Sequence, residues 1–244
     1  LAAIEGFRGF PDRAAALVTE AASHAETIDF PFTVGFVDWM AAITFQWLND
    51  REKTEKHARS LLQLAVEKEL HLFESTALIL IGWTEHFSSG VESLAKIENG
   101  FTKYDVSAFF KIFQLNTHID ALIRLRQDDR AKETISRLLK MIEQHGCKWT
   151  LPEVLRLDAV CGLKENGSDR AKAETIFLQS IELAKSQKSK LWELRSATSL
   201  ARLWGEGKER QKAYDLLFPI YDWYTEGLDT TVLREAKDLL AQLQ

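Results

Sequence analysis

Residues 168–217 read SDRAKAETIFLQSIELAKSQKSKLWELRSATSLARLWGEGKERQKAYDLL, and the reading of this stretch decides the fold class. Ala173, Ile176, Phe177, Ser180, Ile181 and Ala184 recur at intervals of three and four. So do Leu191, Leu194, Ala197, Leu200, Ala201 and Trp204. That is the period of an amphipathic helix with one buried face, whereas a strand would alternate with period two. Asp169-Arg170 opens the first helix, and Glu209-Arg210 opens a third one 40 residues later with Ala213, Leu216, Leu217, Ile220, Tyr221 and Tyr224 in the same rhythm. Gly205-Glu206-Gly207 supplies a glycine stop and a turn between the second helix and the third. The unit is therefore a helix, a short turn and a second helix, repeated about every 40 residues.

The pattern extends upstream. Acidic-basic pairs followed by helical runs occur at Asp12-Arg13, Asp50-Arg51 and Asp129-Arg130 as well, so the arginines fall at 13, 51, 130, 170 and 210. The interval of 79 between Arg51 and Arg130 is about twice the others, which predicts a hidden member near residue 90, at Ser89-Gly90-Val91. Ala14, Leu17, Val18, Ala21, Ala22 and Ala25 repeat the stripe, as do Ala131, Ile135, Leu138, Leu139 and Ile142. An Asp or Ser ahead of each run can accept the free N–H groups of the first turn. A second set of helices is expected after Pro31, near His71, near Tyr104-Asp105, at Trp149 to Pro152 and at Leu191. Pro31 and Pro152 suit a first helical turn, where the missing N–H costs nothing. Asn99-Gly100 predicts a break in the helix near residue 90. Val232, Leu233, Ala236, Leu239 and Leu240 make one further amphipathic helix from Asp229 to Leu243, an unpartnered cap.

The expected fold is all-α: an α-α superhelix, a solenoid of about six helix-turn-helix units with a C-terminal capping helix. The chain reads as one repeat array with units at about 1–28, 29–69, 70–100, 101–146, 147–187 and 188–226 and a cap at 228–244. It opens with Leu1, and it reads as a fragment of a longer protein whose upstream helix runs on into residues 1–10.

Leu200-Ala201 and Trp204, followed by Ala213 and Leu217, resemble the large-small-aromatic and small-large pattern of tetratricopeptide repeats, with a period longer than that family's roughly 34 residues. The stretches 185–204 and 221–237, and the earlier Gly9-Phe10-Pro11-Asp12-Arg13-Ala14, resemble the C-terminal repeat region of bacterial adenylate/guanylate cyclase-like and predicted-ATPase signalling proteins. The resemblance covers nearly the whole chain and is strongest over 165–242. It implies a repeat module behind a cyclase domain and a nucleotide-binding ATPase module. Neither of those is present in these 244 residues, so the resemblance carries no catalytic residue onto this chain.

Composition agrees with a binding protein of the cytoplasm. The 244 residues are 45% hydrophobic and 27% charged, with a formal net charge of −5, and the pI near 5.8 lacks the basic footprint of a nucleic-acid binder. The most apolar run, 77–83, is far short of the roughly 20 residues that cross a bilayer. Cys147 and Cys161 are too few for a disulfide framework and read as small buried hydrophobes. No phosphate-loop motif occurs, and Gly205-Glu206-Gly207-Lys208 lacks the preceding strand such a loop needs. His24, His57, His71, His86, His118 and His145 form no HExxH, no Glu-x-x-His and no zinc spacing with cysteine. No catalytic, metal or cofactor residue is expected.

In stacked helix pairs one helix of each unit lines the concave face. With Leu194, Ala197, Leu200, Ala201 and Trp204 buried, Arg195, Thr198, Arg202 and Glu206 face that groove; one unit back the matching residues are Asp158 and, nearby, Glu165, and two units back His118. Such a groove suits an extended segment or helix of a partner. The expected function is a protein–protein interaction or scaffolding module that regulates an attached signalling domain of cyclase or ATPase type in a larger bacterial protein. The alternative is the effector-sensing repeat domain of an ATP-dependent transcriptional activator, and an α-helical enzyme is the third reading. The expected partner is a protein or peptide, in another chain or in its own, with no direct nucleic acid and no membrane. An unmatched first helix would leave an apolar N-terminal face for a homodimer.

Overall fold

The structure is a computed structural model and describes residues 1–28, 30–85, 90–103, 107–164, 169–207 and 209–244. Its regular elements among these residues are all helical: α1 (Ala2–Arg8), α2 (Pro11–Ile28), α3 (Pro31–Trp47), α4 (Arg51–Glu67), α5 (His71–Glu85), α6 (Gly90–Lys103), α7 (Ala108–Arg124), α8 (Asp128–His145), α9 (Leu151–Gly162), α10 (Arg170–Ser186), α11 (Lys190–Gly205), α12 (Arg210–Asp222) and α13 (Thr231–Leu243). A single 3-10 turn, Lys148–Thr150, precedes α9. No helix among the described residues is long and apolar enough to cross a membrane.

Two of the acidic residues ahead of the runs, Asp50 and Asp169, cap their helices as expected, whereas Glu209 makes no side-chain cap and Asp12 and Asp129 lie inside their helices. Asp50 Oδ1 accepts the Lys53 N–H at 3.0 Å, and Asp169 Oδ1 accepts that of Lys172 at 3.0 Å. The arginines of the repeat have a long-range role as well. Arg170, at the start of α10, donates through Nη2 to the Leu203 carbonyl at the end of α11 at 2.6 Å, and Arg210, at the start of α12, donates to the Gln242 carbonyl at the end of α13. A cation thus covers the exposed carbonyl end of the next helix, where the dipole is negative. Arg170 and Arg210 share that task, whereas Arg130 pairs with Glu98 and Arg13 with Glu5.

The helices form two layers. Those of the inner layer touch in the order α1, α3, α5, α7, α9, α11, and α11 returns to α1. The even-numbered helices α2 to α12 pack outside, each against its chain neighbours. Burial follows the layers. In α11 both the stripe and the residues beside it are covered, from Leu191 to Trp204, whereas α10 buries one face only: Ala173, Phe177, Ser180, Ile181 and Ala184. The inner layer is therefore a closed ring, and no open concave groove runs along it among the described residues.

Aromatic side chains close the ring. Phe7 of α1 lies 4.4 Å from the Trp47 ring, 5.3 Å from Trp192 and 5.4 Å from Trp149, and Phe113 lies 4.7 Å from Trp149 and 5.7 Å from Trp47. Rings from α1, α3, α7, α11 and the turn before α9 thus meet in one hub, an area of apolar surface that no single unit could bury. A backbone seam reinforces it. Arg13 N–H donates to Glu226 Oε1 at 3.0 Å, and Gly227 N–H donates to Asp12 Oδ2 at 2.9 Å. Gly227 has φ +66°, and a Cβ there would stand 2.0 Å from Pro11 Cγ, so the seam admits only glycine.

Three expectations are corrected. Asn99-Gly100 does not break its helix: α6 runs through both, and a Cβ on Gly100 would lie 2.7 Å from the Ser75 carbonyl, so the glycine lets α5 and α6 approach backbone to backbone. The C-terminal helix is not unpartnered, since α13 packs on α11 and α12 and its Glu235 accepts from Asn49 Nδ2 at 3.1 Å. The first helix is not unmatched, because α1 packs on α2, α3 and α11. Ser89, Tyr104 and Asp105, where helix starts were expected, lie outside the described residues.

Candidate functional site: a cationic cavity inside the ring

Beside the aromatic hub the inner helices carry charged side chains in otherwise apolar surroundings. Asp120 of α7 is buried, accepts the Trp83 indole N–H at 2.7 Å and accepts Arg124 Nε at 2.9 Å. Glu153 of α9 is buried and accepts two bonds from Arg156, at 2.8 and 2.7 Å. Its Oε1 also pairs with Arg195 Nη2 of α11 at 2.9 Å. Arg195 Nη1 donates to the Trp47 carbonyl at 2.7 Å and its guanidinium lies 5.6 Å from the Trp192 ring, which joins the network to the hub. Lys164 Nζ donates to the Ile123 carbonyl at 2.5 Å.

The electrostatics follow from burial and from unequal sharing. Burial pushes the Asp120 carboxyl up, but the charges of Arg124 and Arg195 and the Trp83 hydrogen bond prevail and hold it well below the usual carboxylate range. Burial pushes Arg156 down, and the Glu153 carboxylate, which accepts two bonds from it, lifts it above its ordinary value. Arg195 forms one ion pair with the same carboxylate, stands against Arg156, and is held below its ordinary value by burial and that repulsion. One carboxylate thus serves two guanidiniums, and the second is under-compensated.

These groups wall a cavity of about 500 Å³. Its lining comes from the end of α3 at Asn49, from α7 at Asp120, Ile123 and Arg124, from α9 at Arg156, Leu157 and Val160, from α11 at Arg195, Thr198, Ser199 and Arg202, and from α13 at Val232 and Glu235. Residues nearly 190 positions apart thus share one wall. The volume falls within the roughly 300–1,000 Å³ typical of small-molecule sites.

Of the residues expected to line a groove, three meet here. Arg195 is the under-compensated guanidinium, Thr198 is buried with its hydroxyl donating to the Leu194 carbonyl at 2.8 Å, and Arg202 stands exposed at the rim. The others do not join them. Glu206 lies past the end of α11, 3.6 Å from Arg170 on the outer layer. Asp158 is half-buried on α9 and does not line the cavity. His118 points outward to α6, with its ring 4.9 Å from Phe101; burial, and after it the charge of Arg130, push it down to about 4. Glu165 lies outside the described residues. Arg195, Thr198 and Arg202 share one side of α11, and the offset carried from them to α9 and α7 places Asp158 and His118 elsewhere, because each slip of one residue turns the helix by about 100°.

Asp120, Arg124, Glu153, Arg156 and Lys164 were missed. Their signal was present: Asp120 and Arg124 are four apart and Glu153 and Arg156 three apart, within the two inner helices whose flanks are apolar. Charged pairs inside an apolar helix mark a buried polar site. Among the described residues no three His, Cys, Asp or Glu side chains are placed to hold a metal ion, and neither Cys147, half-buried, nor Cys161, buried, is in a disulfide.

No family model matches the chain, and no curated protein matches it. The function therefore has to be read from the ring and its cavity.

Proposed function

We propose that this chain is a recognition module of the tetratricopeptide type, a superhelical array of two-helix units, that senses an effector in its central cavity and transmits occupancy to a domain joined to it. The resemblance of residues 165–242 to the repeat region of cyclase-like and predicted-ATPase signalling proteins supports a nucleotide-dependent domain as the regulated part. The two binding readings differ in where the ligand sits. A partner segment laid along a concave groove would need the space that Phe7, Trp47, Phe113, Trp149 and Trp192 fill. The observation that carries the effector reading is the cavity of about 500 Å³ walled by α7, α9, α11, α13 and the end of α3. A ligand there would touch elements from both halves of the chain, so its binding free energy would favour the closed ring over an opened one.

The test is a thermal-shift screen of small molecules against the wild type and against Val160→Trp, which fills the cavity. The reading expects stabilising compounds whose effect is lost in the variant. Compounds that stabilise both proteins equally would refute it.

A protein-docking reading keeps one specific support. Leu17, Phe36, Val37 and Met40 with Ile4 of α1 line an apolar groove outside the ring, and Phe36 and Ile4 are 42% and 54% exposed. Exposed apolar surface of that kind suits a protein or peptide partner, another part of the same polypeptide or a second copy. Phe36→Glu would abolish capture of such a partner and leave the thermal shifts of cavity ligands unchanged.

A further inference from the structure

We propose that the central cavity is a binding site for a small organic dianion, a phosphomonoester or a dicarboxylate. The inference rests on the cavity being the ligand site and adds the chemistry of the ligand. Three observations carry it.

The first is charge. Among the described residues the lining holds Arg124, Arg156, Lys164, Arg195 and Arg202 against Asp120 and Glu235, with Glu153 directly behind it. Five cations face three carboxylates, and a dianion restores neutrality where a monoanion leaves one charge over. The second is hydrogen-bond inventory. Every one of those carboxylates is already engaged: Asp120 by Trp83 and Arg124, Glu153 by Arg156 and Arg195, and Glu235 by Asn49. Donors remain. Arg195 donates one hydrogen bond, to the Trp47 carbonyl, and ion-pairs with Glu153; Lys164 spends one of its three N–H groups; and the Arg202 side chain has no hydrogen bond or ion pair with a described residue. A wall rich in donors and poor in acceptors selects a ligand made of acceptors, and guanidiniums in particular suit the paired oxygens of phosphate and carboxylate.

The third is that the helix ends take up only two of these five cations, Arg195 and Lys164. The inner helices end at this side of the ring, where carbonyls attract positive charge. The Trp47, Ile123 and Leu203 carbonyls at the ends of α3, α7 and α11 each already receive a basic side chain, from Arg195, Lys164 and Arg170. Arg202 remains beyond that demand, while Arg124 and Arg156 are held by Asp120 and Glu153 and keep their charge at the wall. Ile123, Leu157, Val160 and Val232 give the cavity an apolar side for the carbon body of the ligand.

The experiment is calorimetric titration of the whole chain with ribose 5-phosphate and with succinate, against ribose and putrescine as neutral and cationic controls. Arg202→Gln removes an exposed charge without touching the fold, and Val160→Trp blocks the cavity; urea unfolding checks that both variants are intact. The expected result is binding of at least one dianion, weakened fivefold or more by Arg202→Gln, lost in Val160→Trp, and weakened by added salt. Which of the two binds separates phosphomonoester from dicarboxylate. Ribose binding as tightly as ribose 5-phosphate, yet still lost in Val160→Trp, would overturn the ligand class and leave the cavity as the site. Binding of neither dianion, or binding that both variants leave unchanged, would overturn the proposal.

Discussion

Replacing Glu153 by Gln keeps the shape of the side chain and removes the charge that two guanidiniums share. Glu153 is 5% exposed, accepts bonds of 2.7 and 2.8 Å from Arg156 and forms an ion pair of 2.9 Å with Arg195. A hydrogen bond to a charged group contributes roughly 1.5–3 kcal/mol, and breaking a buried ion pair from one side costs about 3–5 kcal/mol because the remaining charge is left uncompensated. Here two charges are left, but the amide oxygen of Gln still accepts one bond and the cavity admits water. The expected loss is therefore about 3 kcal/mol, a large share of the 5–15 kcal/mol typical of a folded domain. In urea that corresponds to a fall of about 1–2 M in the midpoint, read by far-ultraviolet circular dichroism. The triple variant Glu153→Leu, Arg156→Met, Arg195→Met removes the charges together and should recover most of the loss. A loss under about 1 kcal/mol for Glu153→Gln, or a triple variant no better than the single one, would refute the account of the ring centre as a charge-balanced network.

Three further outcomes are expected. Phe7→Ala empties the hub between Trp47, Trp149 and Trp192 and should cost about 2–3 kcal/mol, with a change in tryptophan emission as water enters, both visible in one fluorescence-monitored urea titration. Gly227→Ala sets a Cβ against Pro11 at a φ of +66° and should lower stability by about 2 kcal/mol, with amide exchange rising at both ends of the chain and not at α6. His118 is pushed down to about 4 in the folded chain, so the unfolded chain takes up the proton first as pH falls. Its contribution is complete above about pH 6.5 and is lost as pH falls to about 4, on the order of 2–3 kcal/mol. His118→Phe, beside Phe101, should flatten the stability profile over that window, and an unchanged slope would contradict the assignment.

Much of the architecture was legible in one dimension. The stripes of Ala173 to Ala184 and Leu191 to Trp204 are local facts, since a residue three or four along a helix must share its face. They identify helices α10 and α11 without reference to anything distant. The capping Asp169 and the interval between Arg170 and Arg210 are legible for the same reason. Asn99-Gly100 was misread because a glycine looks the same whether it ends a helix or lets another backbone come close, and only the 2.7 Å approach of the Ser75 carbonyl distinguishes the two.

The closure of the ring was not legible. Whether the inner helices form an open row or return on themselves depends on the angle between each and the next, and small angles sum around the layer from α1 to α11. Phe7 and Trp192 are 185 positions apart, and nothing local joins them until that sum brings α1 to α11. The cavity depends on the same closure: Arg195 and Arg202 read as surface residues on one helix, and Glu153, Asp120 and Glu235 become their neighbours only in three dimensions. Periodicity, which acts over one or two turns, was fixed by the amino-acid order alone; the meeting of charges from four helices, α7, α9, α11 and α13, was decided by tertiary packing.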